Sequence, residues 1–340
     1  MKFSATIAKL WLLSGNIAEQ TLSDRISKLI YNIVAVRWKL DTKNELAGKV
    51  VSAMSVLLKG YGQIMLQENS ITGLLFLIGI FYGSSHMGFA SLLAVVCGTV
   101  TAIIFKYPKA EIDKGLYGFS AALVGVAVAL FLKPALASWV FIMIGSALAT
   151  VLQHFFMRRK IPVFTLPFVV ITWLILFISN NYSGDLLAEP ALTSNQANDH
   201  LATVFRGFGQ VIFQGSIVSG ILFFIAVFIS SRISALYGLF GAIISSLIAF
   251  GFSAPINDIG LGLYGYNAVL CAIVFAGRQF RDGLLALIAV FVSLGISLLM
   301  SKFDFPQLTF PFVLASCITL LFKTKTKINY KSFKLIKPKK

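Results

Sequence analysis

Apolar residues in this chain run on for whole segments instead of alternating with polar ones. Residues 88–105, 162–179, 212–230, 233–252 and 284–300 each approach or reach the roughly 20 positions that carry a helix across a bilayer. Two further apolar stretches, 72–83 and 116–132, are shorter and are punctuated by glycine. That pattern predicts broken or re-entrant helices, because unpaired backbone is tolerated at membrane depth only inside protein. The elements expected are helices alone, in an all-α integral membrane protein.

The pattern also repeats. Gln63 recurs 147 residues later as Gln210, Gly73 as Gly220, Pro108 as Pro255, Ile112 as Ile259, and Gly115-Leu116-Tyr117-Gly118 as Gly262-Leu263-Tyr264-Gly265. Thr165-Leu166-Pro167-Phe168 recurs 144 residues on as Thr309-Phe310-Pro311-Phe312, so about three residues are lost over the last span. Two packed copies of one half are how many transport proteins build a site near the bilayer midplane, which makes transport the first functional expectation.

Composition agrees with a lipid solvent. With 57% hydrophobic and 12% charged residues over 340 positions, the chain has more apolar surface than one soluble core can hide. The formal charge of +16 raises nucleic-acid binding as a reading, but eight lysines crowd the last 18 residues and the first 50 are also basic. Lys and Arg beside spans mark the cytoplasmic side, so both termini are expected inside a cell (inner) membrane and the full crossings are even in number. Residues 180–202 carry Asp185, Glu189 and Asp199 and no Lys or Arg, as suits an external loop.

Five spans plus five then fit, each half inverted relative to the other, with one re-entrant pore helix per half. Arg158, Arg159, Lys160, Arg278 and Arg281 fall inside; Lys106, Lys109 and Lys114 fall outside, against the rule. The expected divisions are a basic extension at 1–45, a first half at 46–180, the external loop at 181–202, a second half at 203–322 and a basic cytoplasmic tail at 323–340. Residues 26–36 read as a possible interfacial helix.

The polar residues decide the kind of transport. Ion-coupled carriers keep carboxylates inside the membrane. The long apolar segments here hold none, Glu68 being the borderline case, which favours passive movement of an uncharged polar solute. Glu111 and Asp258 stand before the two Gly-Leu-Tyr-Gly motifs, where a carboxylate is expected to satisfy loop backbone. Gln63 and Gln210 can each donate to and accept from a solute, or else tie neighbouring helices.

The Gly-Leu-Tyr-Gly motifs open short helices from Phe119 and Tyr266 whose free amides attract a carbonyl oxygen, with Ser120 and Asn267 as candidate caps. Thr165 and Thr309 either cap helices or face a pore. Cys97, Cys271 and Cys317 lie in apolar runs and read as packing residues; His86, His154 and His200 show no ligand spacing, so no metal and no cofactor is expected.

Gly62-Gln63-Ile64 and Gly209-Gln210-Val211, the paired Gly-Leu-Tyr-Gly-aromatic motifs and the paired Thr-x-Pro-Phe motifs together resemble the urea transporter family over about residues 48–322, as in a bacterial member. The resemblance implies a homotrimer in the lipid bilayer, each protomer carrying its own narrow pore that passes urea in single file. It implies oxygen or amide contacts from Gln63, Gln210 and the backbone at the re-entrant helix starts, with Thr165 and Thr309 at the central constriction. Slot walls would be Phe119, Leu123, Phe213, Tyr266 and Leu270, with Ile64, Leu66 and Val211 completing the narrow region. Leu66 departs from the family's usual phenylalanine, and Tyr266 adds a hydroxyl where phenylalanine is common.

Losing water costs a flat, neutral, hydrogen-bonding solute several kcal/mol unless a pore replaces those bonds, which amides and carbonyls do. The alternative is a channel for another small neutral solute such as a short amide, ammonia or water. A structural or signalling membrane protein leaves the duplicated polar residues unexplained, and no nucleophile, base and oxyanion set indicates an enzyme.

Overall fold

The computed structural model describes residues 45–162, 164–182, 184–188, 200–303 and 305–334. The candidate interfacial helix at 26–36, the external-loop residues Glu189 and Asp199, and the last lysines of the tail lie outside the described residues. The chain divides at Met54, and the residues described from Ser55 onward belong to one compact unit.

Fourteen α-helices appear among the described residues, in two series of seven. The first runs α1 (Glu45–Gln63), α2 (Ser70–Gly83), α3 (Ser85–Ile104), α4 (Lys109–Ile112), α5 (Phe119–Phe131), α6 (Leu136–Arg158) and α7 (Leu166–Tyr182). The second runs α8 (His200–Gln210), α9 (Ile217–Ser230), α10 (Arg232–Gly251), α11 (Ile256–Gly260), α12 (Tyr266–Val274), α13 (Phe280–Ser301) and α14 (Phe310–Lys334). Helices α2 to α5 and α9 to α12 begin 147 residues apart, so the sequence repeat is a repeat of elements.

Local chemistry explains why the starts coincide. Ser84 accepts from Met87 N at 3.3 Å and Ser231 from Ser234 N at 3.2 Å, the same cap ahead of α3 and α10. Pro108 and Pro255 share φ −54° and ψ 123° and open the two shortest helices. By length and apolarity α3, α6, α10 and α13 can cross a membrane; α2, α5, α7, α9 and the Phe310–Lys323 part of α14 are apolar but shorter. Helix α5 extends about 20 Å and α12 about 14 Å, well under the roughly 30 Å of hydrocarbon. Phe119 to Val128 and Tyr266 to Ile273 are buried at every position, as a half-length helix sheltered inside protein requires.

The two series meet through α2 and α9. Phe76 packs edge-on against its own counterpart Phe223, ring centres 5.1 Å apart. Thr72 Oγ1 donates to Ala226 O at 2.8 Å, and Ser219 Oγ donates to Gly79 O at 2.8 Å. Ser219 is the counterpart of Thr72, and Ala226 that of Gly79, so each contact is the other's reciprocal, as across a two-fold axis. Within each series, Gly73 and Gly220 permit close approach: a Cβ there would stand 1.7 Å from Leu58 O and 2.0 Å from Phe205 O respectively. The cysteines are all free, with Cys271 fully buried, in keeping with packing residues.

Candidate pore filters

Helix α1 stops at Gln63 and α8 at Gln210 because the chain reverses through Leu66, at φ 62°, and Phe213, at φ 57°. A left-handed side-chain-bearing residue costs roughly 1–2 kcal/mol, so the turn needs bracing. Gln67 N bonds back to Gly62 O and Gln214 N to Gly209 O, each at 3.0 Å. The side chains add a second tie: Gln67 Nε2 donates to Met65 O at 2.9 Å and Gln214 Nε2 to Ile212 O at 3.0 Å. Among the described residues no donor meets the carbonyls of Ile64, Leu66, Val211 or Phe213. Each turn therefore holds out unpaired backbone oxygens beside a glutamine amide.

Gln63 Nε2 donates to Lys114 O at 3.0 Å, and Gln210 Nε2 donates to Leu261 O at 3.1 Å. One helical turn earlier on the same faces, Lys59 Nζ donates to Asp113 O at 3.2 Å and Arg206 Nη1 to Gly260 O at 2.9 Å. Two consecutive carbonyls of each loop are thus gripped by a cation and an amide four residues apart. Lys59 also pairs with Glu68 at 3.8 Å, while Arg206 is 6% exposed and its Nε meets no acceptor among the described residues. The gripped loops turn at Gly115 and Gly262, whose φ of 73° and 77° suits glycine. A Cβ would also lie 2.4 Å from Gly60 N and 2.5 Å from Gly207 N. No side chain caps α5 or α12, whose starts at Gly118 and Gly265 stay open.

Thr165 and Thr309 bring the halves together. Their hydroxyl oxygens are 2.6 Å apart, and both residues are buried. Their carbonyls accept from Val169 N and Val313 N at 3.1 Å, starting α7 and α14, while the hydroxyls reach across to each other instead of capping. Phe164 and Leu308, immediately before them, take φ 48° and 46°. Strain repeated in both copies is characteristic of functional positions.

A cavity of about 240 Å³ opens on the first half, lined by Gln63, Ile64, Leu66, Phe119, Gln153 and Thr165 among others. Leu66 is 40% exposed there. Phe213 is instead flanked edge-on by Phe131 and Phe168, ring centres 6.2 and 6.1 Å away. Val211, Tyr266 and Thr309 are buried in the second half, and Gln210 is partly buried there. Leu123 and Leu270 are fully buried and do not line the cavity.

Three sequence expectations need correction. Ser120 and Asn267 do not cap their own helices: Ser120 donates weakly to Gln153 Oε1 at 3.4 Å. Asn267 clasps the start of α14, donating to Leu308 O at 3.4 Å and accepting from Phe312 N at 3.1 Å. The Glu111 carboxylate accepts from the Tyr117 hydroxyl, itself 2.7 Å from His154 Nδ1, so it answers a side chain and not loop backbone. Partial burial raises the Asp258 carboxyl above its ordinary value. The extra hydroxyl of Tyr266 donates to Leu308 O at 2.7 Å.

Sequence reasoning missed the Lys59 and Arg206 clamps, although the 147-residue spacing that paired the glutamines pairs these cations too. It also missed Gln153, which has no amide counterpart to draw attention to it.

Comparison with known proteins matches this arrangement to one family. The sequence model of a family described as "Urea transporter" matches residues 54–324. Urea transporter 1 of Rattus norvegicus and of Mus musculus are each 26% identical over 307 residues, covering 83% of this chain and 80% of the relative. Urea transporter 1 of Capra hircus is 26% identical over 300 residues, covering 81% of this chain and 78% of the relative. The matched span takes in both glutamine turns, both Gly-Leu-Tyr-Gly loops and both threonines, so the chain belongs to the urea transporter family.

Proposed function

We propose that this chain conducts urea passively across the membrane through a narrow pore whose middle is the Thr165–Thr309 contact. The observation that carries this reading is that hydroxyl pair, because it joins the pore motifs of the two halves at one buried point. Outward from it, each half offers the same chemistry: an aromatic wall at Phe119 or Tyr266, a glutamine with a committed amide nitrogen, and backbone oxygens without donors. Urea carries four N–H donors, and such a file of acceptors replaces the water they lose.

Among the helices long and apolar enough to span, the one carboxylate is Asp282, in the first turn of α13 where it accepts from Gln279 N at 3.1 Å, so none lies deep in a span for a proton or sodium ion to couple to. The reciprocal contacts of α2 and α9 support the inverted five-plus-five arrangement, since halves with an odd number of spans related by a two-fold axis in the membrane plane run in opposite directions. The half-length α5 and α12 are the proposed re-entrant helices. Both termini in the cytoplasm and a homotrimeric assembly complete the proposal, on the charge pattern and the family resemblance.

Stopped-flow light scattering on proteoliposomes tests it, comparing urea with formamide, ammonia and water. Urea is expected to equilibrate without accumulating under an imposed proton or sodium gradient. Uphill accumulation overturns the channel, and preference for ammonia or water over urea moves the function to another neutral solute.

A further inference from the structure

We propose that Gln153 is a third solute-contacting amide, present at the first-half mouth only, and that its amide nitrogen reads the carbonyl oxygen of the solute. The proposal rests on the urea-channel reading. A flat amide solute carries an acceptor as well as donors, and that oxygen also needs a partner when water is stripped away. The polar side chains that line the 240 Å³ cavity are Gln63, Gln153 and Thr165. Gln63 has committed Nε2 to Lys114 O and keeps its oxygen. The carbonyls of Ile64 and Leu66 accept only. The Thr165 hydroxyl is already bonded to Thr309.

Gln153 adds a side-chain donor to the open backbone amides at the start of α5. It lies on α6, lines the same cavity as Gln63, Phe119 and Thr165, and is 5% exposed. Ser120 Oγ approaches its Oε1, which turns the other end of the amide away, and among the described residues nothing accepts from its Nε2. Inward positions of α6 at Gly145, Ser146, Ala149, Thr150 and Gln153 match those of α13 at Ala289, Val290, Ser293, Leu294 and Ser297. The place of Gln153 in the second half is therefore held by Ser297, whose reach is shorter. The two mouths differ at this position as they do at Leu66 and Phe213.

The test compares urea with thiourea, equally flat but with sulfur, a weak acceptor, in place of oxygen. Full-length protein and its Gln153→Leu and Gln153→Glu variants are reconstituted, and flux at pH 8 is normalised to folded protein. Gln153→Leu should cut urea flux about tenfold, the effect of one missing hydrogen bond, and leave thiourea flux within about twofold. Gln153→Glu keeps the size but only accepts, so it should lose urea flux as the leucine variant does. An equal fall for both solutes, an unchanged urea-to-thiourea ratio, or full urea flux in Gln153→Glu overturns the proposal. Wild-type vesicles that carry no urea would instead overturn the channel reading itself.

Discussion

Thr165 and Thr309 show what one side chain can and cannot announce. Their place before proline in both copies was legible, and so was a hydroxyl facing inward; that each would choose the other as partner was not, because 144 residues separate them. Valine at either position keeps the shape and strands the surviving hydroxyl, a cost of roughly 1–3 kcal/mol that slows passage about tenfold or more. Gln63→Leu and Gln210→Leu should act similarly, since each removes an acceptor from the file and frees the loop carbonyl it grips. The check is urea flux per folded protein for all four variants, and unchanged flux in all of them would remove these residues from the pore. Gln67 and Gln214 behave differently. From sequence they had no visible task, yet each braces a left-handed turn, so Gln67→Leu or Gln214→Leu should cost about 1 kcal/mol and lower the melting midpoint by a few degrees.

At the scale of elements, the helices follow closely from the apolar runs, and the matched caps at Ser84 and Ser231 show why the copies keep register. What the runs could not supply is how near the helices come. Gly73 and Gly220 stood out in sequence only as a repeated pair; that α1 and α8 pass directly over them is seen in the structure. Gly73→Ala and Gly220→Ala drive a methyl group into backbone oxygen, so each should sharply lower the yield of monodisperse protein and its melting temperature. Gly295→Ala is the internal comparison: its Cβ would have nothing within 4 Å, and alanine favours the helix, so stability should hold or rise by up to about 1 kcal/mol. Equal behaviour of the three variants would show that close approach is not what those positions require. Residues such as Ser120, Asn267 and Glu111 misled for a related reason, because local rules assign polar groups to the nearest backbone while a folded helix bundle offers partners from distant segments.

For the whole molecule, the charge pattern and the repeat point to two halves, and the reciprocal bonds of Thr72 with Ala226 and Ser219 with Gly79 set the terms on which they join. A surface that satisfies its own counterpart is self-matching: whatever the first half offers, the second half returns. Cutting the chain between α7 and α8 should therefore leave two polypeptides that recognise each other without the covalent link. Co-expressed fragments should co-purify and conduct urea when reconstituted, and failure to associate would mean that the connection itself is needed for assembly. Made alone, each fragment enters the membrane in one direction, so two copies of the same half meet parallel and cannot form the two-fold contact that needs one half inverted. Cross-linking in membranes should therefore find the mixed pair and no like pair, so the opposed direction of the two halves itself decides which partner each one accepts.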